Sequence, residues 1–144
     1  MNSLRVPGSR TERGQSLTEM AISFVILVLV LAVGVDLGRV YFSLISLREA
    51  AEEGALYGSF NPADTSGITA RVRSSSTTPV NLADTSLVTV AVSTPSGACA
   101  GNRLTVTVTY QFRLSMPFVG TIIGTQSVPL RATSSSTILR PPTC

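Results

Sequence analysis

An uncharged run between two carboxylates constrains the fold of this chain more than any other feature. The run extends from Met20 to Val35, directly after Glu19 and directly before Asp36. As a helix it would be about 24 Å long, which is less than the ~30 Å hydrocarbon core of a bilayer, although apolar neighbours extend it. Because the run is apolar on every face, it suits lipid or the dry interior of an assembly rather than water.

Basic residues precede the run and predict its orientation. The 144-residue chain has a net charge of +3. Residues 1–14 carry a charge of 3 − 1, or +2, from three arginines (Arg5, Arg10 and Arg13) and one acid (Glu12). Since basic flanks stay in the cytoplasm, we expect the N-terminus inside and the C-terminal part outside. No basic stripe with interleaved aromatic residues appears, so nucleic acid is not an expected partner.

The helical pattern continues beyond the uncharged run. Ser16–Glu19 matches a capping box, which predicts that a helix begins there. After Asp36, apolar residues recur at spacings of three and four, and Gly54 and Gly58 are the predicted stop signals. The predicted apolar face contains Leu37, Val40, Tyr41, Leu44, Leu47, Ala51 and Ala55. We therefore expect one helix over residues 15–58, apolar all round in its first half and amphipathic in its second.

The residues that follow, 59–144, predict a small head domain outside the membrane. A short helix is expected over 64–74, and alternation of apolar and polar residues indicates strands after it. The predicted strands contain Val88–Val92, Leu104–Leu114 and Gln126–Leu139. Pro129 predicts that the third strand lies at an edge. The predicted fold class is α+β, with the long N-terminal helix packed against a small three-stranded antiparallel sheet.

Two cysteines, Cys99 and Cys144, lie in the part predicted to be outside. An even number of cysteines in an oxidising compartment suggests a disulfide, which would tie the end of the chain to the head. Two unpaired thiols are the alternative.

A glycine ends the basic leader five residues before Glu19, at the mouth of the apolar helix. Together with Val35–Arg39 and Ala50–Ala55, the segment Arg13–Glu19 resembles the TadE-like pseudopilins of tight adherence (Tad) pili, a branch of the type IV pilin-like precursors. The resemblance implies that residues 1–14 are a cytoplasmic leader. A prepilin peptidase would remove it by cutting between Gly14 and Gln15.

The resemblance also implies a location and partners. The protein would cross the inner membrane once and then enter a pilus at the cell surface. Its partners would be the prepilin peptidase, the inner-membrane assembly platform, and other pilins and pseudopilins, including further copies of itself in a filament. Met20 stands where major pilins usually carry an aromatic residue, and the β region is large for a major pilin. Both departures favour a minor pilin.

The sequence allows two compatible roles for Glu19. The resemblance implies that it pairs with the new ammonium of Gln15, in its own or a neighbouring chain, because a carboxylate at the edge of hydrocarbon is costly unless it is paired. Alternatively, it is an acid at a helix N-terminus, stabilised by the helix dipole. The residues expected to face lipid include Met20, Phe24, Leu27, Leu31 and Val35.

Asp36 and Arg39 follow the uncharged run and allow two interpretations. They form an interfacial ion pair of little energetic consequence, or they make a docking contact to a partner subunit. The apolar loop 117–124 also allows two: a contact between subunits, or a lid folded over the core.

No enzymatic activity is expected. Histidine, the commonest catalytic base and metal ligand, is absent, and there is no glycine-rich phosphate loop. We therefore predict no catalytic residue, no cofactor and no metal site. Glu49, Glu52 and Glu53 are interpreted as a solvated helix face.

The predicted function is that of a pilin-like subunit acting in pilus assembly and adhesion, and two alternatives remain. The first is an exported protein whose secretory signal is cleaved after Gly34. The second is an uncleaved, single-span membrane protein whose β domain binds a ligand or surface. Glu19 at the start of the run and the amphipathic continuation count against the first.

Overall fold

The longest element is a single helix, α1, which spans Thr11–Phe60. The computed structural model of the protein describes residues 11–115 and 124–140. Its contacts divide the chain into two units, Met1–Val35 and Asp36–Cys144. Among the described residues, α1 from Gly14 onward is long and apolar enough to cross a membrane.

The predicted start of α1 at Ser16 is wrong, since the helix already includes Thr11. Ser16 lies inside the helix and therefore cannot be its N-cap. The hydroxyl of Thr18 donates to the carbonyl oxygens of Gly14 and Gln15, both at 2.9 Å, as a helix-interior threonine does.

The predicted stops at Gly54 and Gly58 are also wrong, because both glycines are buried within α1. A Cβ atom on Gly54 would lie 2.5 Å from Val72 Cγ2, and one on Gly58 would lie 2.9 Å from Leu104 Cδ1. The glycines therefore permit close packing rather than ending the helix. The helix ends at Phe60, and Pro62 follows, whose ring is incompatible with a helix interior.

The rest of the second unit is a short helix and a three-stranded sheet. Helix α2 spans Thr65–Ser74, and the strands are β1 (Val88–Ser93), β2 (Arg103–Arg113) and β3 (Ser127–Thr137). The strands form an antiparallel meander in the order β1-β2-β3. The α+β prediction is confirmed. Pro129 lies on β3, which is an edge strand in the described part of the sheet, opposite Gln111.

The core lies between the second half of α1, the helix α2 and one face of the sheet. The predicted alternation on β2 is observed, since Leu104, Val106, Val108 and Phe112 are all buried. The other buried apolar residues are Leu47, Ala50, Ala51, Ala55, Ile68, Val72, Val80, Leu82, Val88, Leu130, Ala132 and Ile138. After β3, the amide of Leu139 donates to the carbonyl of Ser59 at 2.8 Å, which ties the chain back to the end of α1.

Two residues assigned to the apolar face of α1, Leu37 and Tyr41, do not enter this core. Both side chains are more than half exposed. Val40 and Leu44 of the same predicted face are partly buried and pack against the core. The predictions for the loop 117–124 fall outside the described residues, except for Gly124.

Candidate functional site

The predicted cleavage position lies within α1. Gly14 and Gln15 are both helical and exposed, and nothing lies within 4 Å of a Cβ atom placed on Gly14. Glu19 is also exposed. Positions 15 and 19 are one turn apart, so they share a face of the helix. The ion pairs found among the described residues are Arg39–Asp36 and Arg71–Glu53, and Glu19 belongs to neither.

The residues predicted to face lipid are all exposed in the first unit. Their side chains are between 55% and 74% exposed, and they comprise Met20, Phe24, Leu27, Leu31 and Val35. Soluble monomers seldom expose a continuous apolar surface of this size. These side chains therefore require a cover of lipid or of other protein.

At the start of the second unit, Asp36 joins α1 to the end of β2. Asp36 as a whole is 8% exposed. One of its oxygens accepts from Arg39 Nη1 at 3.2 Å, and the other accepts from the backbone amide of Ser115 at 3.2 Å. Arg39 also donates to the Ser115 hydroxyl and lies 5.2 Å from the ring centre of Phe112. The ion pair predicted from the sequence is therefore present, and it extends to a residue far along the chain that the sequence pattern did not indicate.

A second polar cluster holds α2 against α1, and Asp64 is its centre. As the N-cap of α2, its carboxylate accepts from the Gly67 amide at 2.8 Å, the Ser66 hydroxyl at 2.7 Å and the Tyr57 hydroxyl at 3.0 Å. The hydrogen bonds from Ser66, Gly67 and Tyr57, in that order, lower the pKa of Asp64 below its ordinary value. Accordingly the bond to the Asp64 carboxylate raises the pKa of Tyr57. An aspartate directly before a helical segment is a recognisable cap signal.

The same cluster includes Arg71 of α2. Its guanidinium lies 5.5 Å from the ring centre of Tyr57 and 3.9 Å from the Glu53 carboxylate. Glu53, assigned to a solvated face, therefore contacts α2. Since both partners are substantially exposed, this ion pair contributes little to stability.

The structure describes one of the two cysteines. Cys99 is disulfide-bonded, whereas Cys144 lies outside the described residues. The pairing of Cys99 with Cys144 remains a prediction. No group of three histidine, cysteine or acidic residues that could hold a metal is found over 11–115 and 124–140.

Residues 14–56 match the model of the family described as TadE-like protein. The chain carries a TadE-like segment. The match begins at Gly14, covers the exposed apolar run, and continues through the buried face of α1 into the head. Searches of curated proteins and of solved structures found no match.

The TadE-like match confirms the resemblance stated from the sequence. The family is one of structural, pilus-associated proteins rather than enzymes. The matched segment contains the predicted cleavage position, Glu19 and the Asp36–Arg39 pair, and it ends at Leu56. It therefore covers the residues for which a role was predicted, apart from the cysteines and the loop 117–124.

Proposed function

We propose that this protein is a minor pilin or pseudopilin of a Tad-type pilus, acting in pilus assembly and adhesion. The observation that carries the proposal is the TadE-like match over a helix whose apolar side chains are exposed. A structural protein of this kind needs an apolar surface that can be covered first by lipid and later by neighbouring helices. The first unit supplies such a surface.

The precursor would sit in the inner membrane with its basic N-terminus in the cytoplasm and its head outside. The prepilin peptidase would cut between Gly14 and Gln15, which gives Gln15 a free ammonium. Glu19 would pair with that ammonium in its own or a neighbouring chain, since an unpaired carboxylate is costly at the edge of hydrocarbon. The helix would then leave lipid and pack against other pilins, with the assembly platform driving the transfer.

An uncleaved membrane anchor carrying a ligand-binding head is the second candidate. The observation that favours it is that α1 runs unbroken through Gly14 and Gln15. A protease requires its scissile peptide to be extended, so cleavage of this precursor would require the first turns of α1 to unwind. In the second candidate no unwinding is needed, and Glu19 has only a local role in the helix.

Complementation in the native cells tests the proposal. Cells lacking the protein would receive the wild-type chain, Glu19→Ala, or the control Glu49→Ala, which removes an exposed glutamate of the second unit. Surface pili would be counted by electron microscopy, and surface-attached cells by staining. We expect the wild type and Glu49→Ala to restore pili and attachment, and Glu19→Ala to fail at equal membrane abundance. Unchanged pili in the cells without the protein would contradict the proposal and support the anchor.

A further inference from the structure

The head exposes an apolar surface where α1 enters it. Three apolar side chains there are more than half exposed: Leu37, Tyr41 and Phe42. Ile45 is partly exposed. Positions 37, 41, 45, 48 and 52 recur at spacings of four and three and so lie on one face of the helix. That face is apolar as far as Ile45 and becomes charged at Arg48 and Glu52.

The one carboxylate in this part of α1 does not interrupt the apolar surface. Asp36 is buried, and its two oxygens are used by Arg39 and by the amide of Ser115. On a helical projection it lies more than a quarter turn from Leu37 and Tyr41, on the side of Val40 and Leu47. The acid that seemed to end the membrane-compatible run is therefore turned into the head.

The length of the apolar surface then agrees with a bilayer. The uncharged run alone is about 24 Å long, whereas Met20–Phe42 is about 35 Å, enough to cross the ~30 Å hydrocarbon core. Tyrosine is enriched at membrane–water interfaces, where Tyr41 would lie. The Arg39 guanidinium is held by Asp36 and by the Ser115 hydroxyl, so the charge of each partner in this pair is compensated within the protein.

From the continuity with the membrane span, the length and the change from apolar to charged residues, we infer that the head is seated in the outer leaflet of the bilayer. Lipid contacts Leu37, Tyr41 and Phe42, and the membrane–water boundary lies before Arg48 rather than at Asp36. Asp36 and Ser115 then lie on the membrane side of this boundary, where Arg39 and the amide of Ser115 satisfy the carboxylate of Asp36. The inference rests on the membrane insertion in the proposed function.

Tryptophan fluorescence can locate this boundary, because the natural chain contains no tryptophan. The full chain would carry Leu31→Trp, Phe42→Trp or Leu56→Trp and be reconstituted into vesicles of phosphatidylethanolamine and phosphatidylglycerol. Quenching by lipids brominated in the acyl chains would be compared with quenching by iodide in the water. Phe42 and Leu56 are a matched pair, since both are 61% exposed in the protein alone. They lie about 21 Å apart along the helix.

We expect Phe42→Trp to lose most of its emission to brominated lipids and little to iodide, with the opposite pattern for Leu56→Trp. Leu31→Trp should be quenched by lipids brominated deep in the acyl chain. Tyr41→Trp repeats the test at the neighbouring position, should Phe42→Trp fail to show the helical and β signals of the wild type in circular dichroism.

Three results would overturn the inference, and they are distinguishable. Quenching of Phe42→Trp by iodide, with Leu31→Trp quenched by lipid, would place the boundary back near Asp36 and leave membrane insertion intact. Protection of Phe42→Trp from both quenchers would show that protein, such as a second copy, covers the surface. Absence of lipid quenching at Leu31→Trp would remove the membrane insertion itself.

Discussion

Between Gly14 and Val35, α1 exposes almost every side chain, whereas between Ser43 and Ser59 it buries a complete face. Besides their hydrophobicity, the two surfaces differ in the size of the residues that form them. The exposed stretch consists mainly of leucine, valine, isoleucine and phenylalanine. The buried face is formed largely by alanine, glycine and serine, including Ala51, Gly54 and Gly58.

Residue size determines what each stretch can pack against. Small residues allow α2 and the sheet to approach the helix backbone, as the close contacts at Gly54 and Gly58 require. A surface of large apolar residues offers no such close fit, but it presents a large apolar area to lipid or to another helix. Small residues on α1 therefore mark the contact within the chain, and large residues mark the contact with something outside it.

The same substitution in both stretches should have very different effects on the stability of the head. Leu47→Ala removes a fully buried side chain and should destabilise the head by about 2–5 kcal/mol, because it loses apolar burial and leaves a cavity. Leu31→Ala should leave the stability of the head unchanged. Urea unfolding of the full chain in detergent micelles, followed by the β signal in circular dichroism, measures both. Equal effects would contradict the division of α1.

Gly54 and Gly38 should respond in opposite ways to an added methyl group. Alanine at Gly54 would meet Val72, a β-branched residue with little rotamer freedom in a helix, so Gly54→Ala should cost about 1–3 kcal/mol. Nothing lies within 4 Å of a Cβ atom placed on Gly38. Gly38→Ala should therefore stabilise the helix by up to about 1 kcal/mol. The same unfolding measurement separates the two. If Gly54→Ala were stabilising, the close approach of α2 would be wrong.

Asp36→Ala tests the junction between the two stretches. It leaves the amide of Ser115 without its acceptor and should cost the head about 1–2 kcal/mol. Glu49→Ala, at an exposed position, is the control and should stay within about 0.5 kcal/mol of the wild type. Urea midpoints report both values. Identical midpoints for the two variants would show that the link to Ser115 contributes nothing.

The smallest expected effect is a pH dependence within the head. Because its pKa is lowered on folding, Asp64 should stabilise the head fully above its ordinary pKa of 3.8. That contribution should disappear as the pH falls below 3.8 towards the lowered folded-state value. Asp64→Asn keeps the helix cap but cannot titrate, so its melting temperature should fall less than that of the wild type on acidification. If the melting temperatures of the wild type and Asp64→Asn fell equally on acidification, Asp64 would not be the group whose protonation destabilises the head.

Periodicity predicted the main elements because each buries one face. The alternation on β2 and the edge position of Pro129 follow from short-range patterns, and the structure agrees with both. The TadE-like segment was recognisable for a related reason, since its signals lie within one continuous helix. Local patterns of this kind can be read from a single sequence.

The misassigned residues are those whose role depends on distant parts of the chain. Gly54 and Gly58 have the composition of a helix end, but Val72 and Leu104 lie against them and make them packing sites. Tyr41 has the spacing of a core residue, yet its side chain lies on the exposed side of α1. No sequence pattern could indicate that Ser115 would cover Asp36, because the contact joins residues that are far apart in the chain.

The central claim is that this chain is a pilin-type precursor, and the mass and N-terminal sequence of the protein from its native cells test it most directly. We expect a chain that begins at Gln15, and the same cells without prepilin peptidase should retain residues 1–14. A chain beginning at Met1 in peptidase-containing cells would contradict the claim and support the uncleaved anchor. A chain beginning at Val35 would also contradict it. The second unit would then be a secreted domain, since it begins at Asp36.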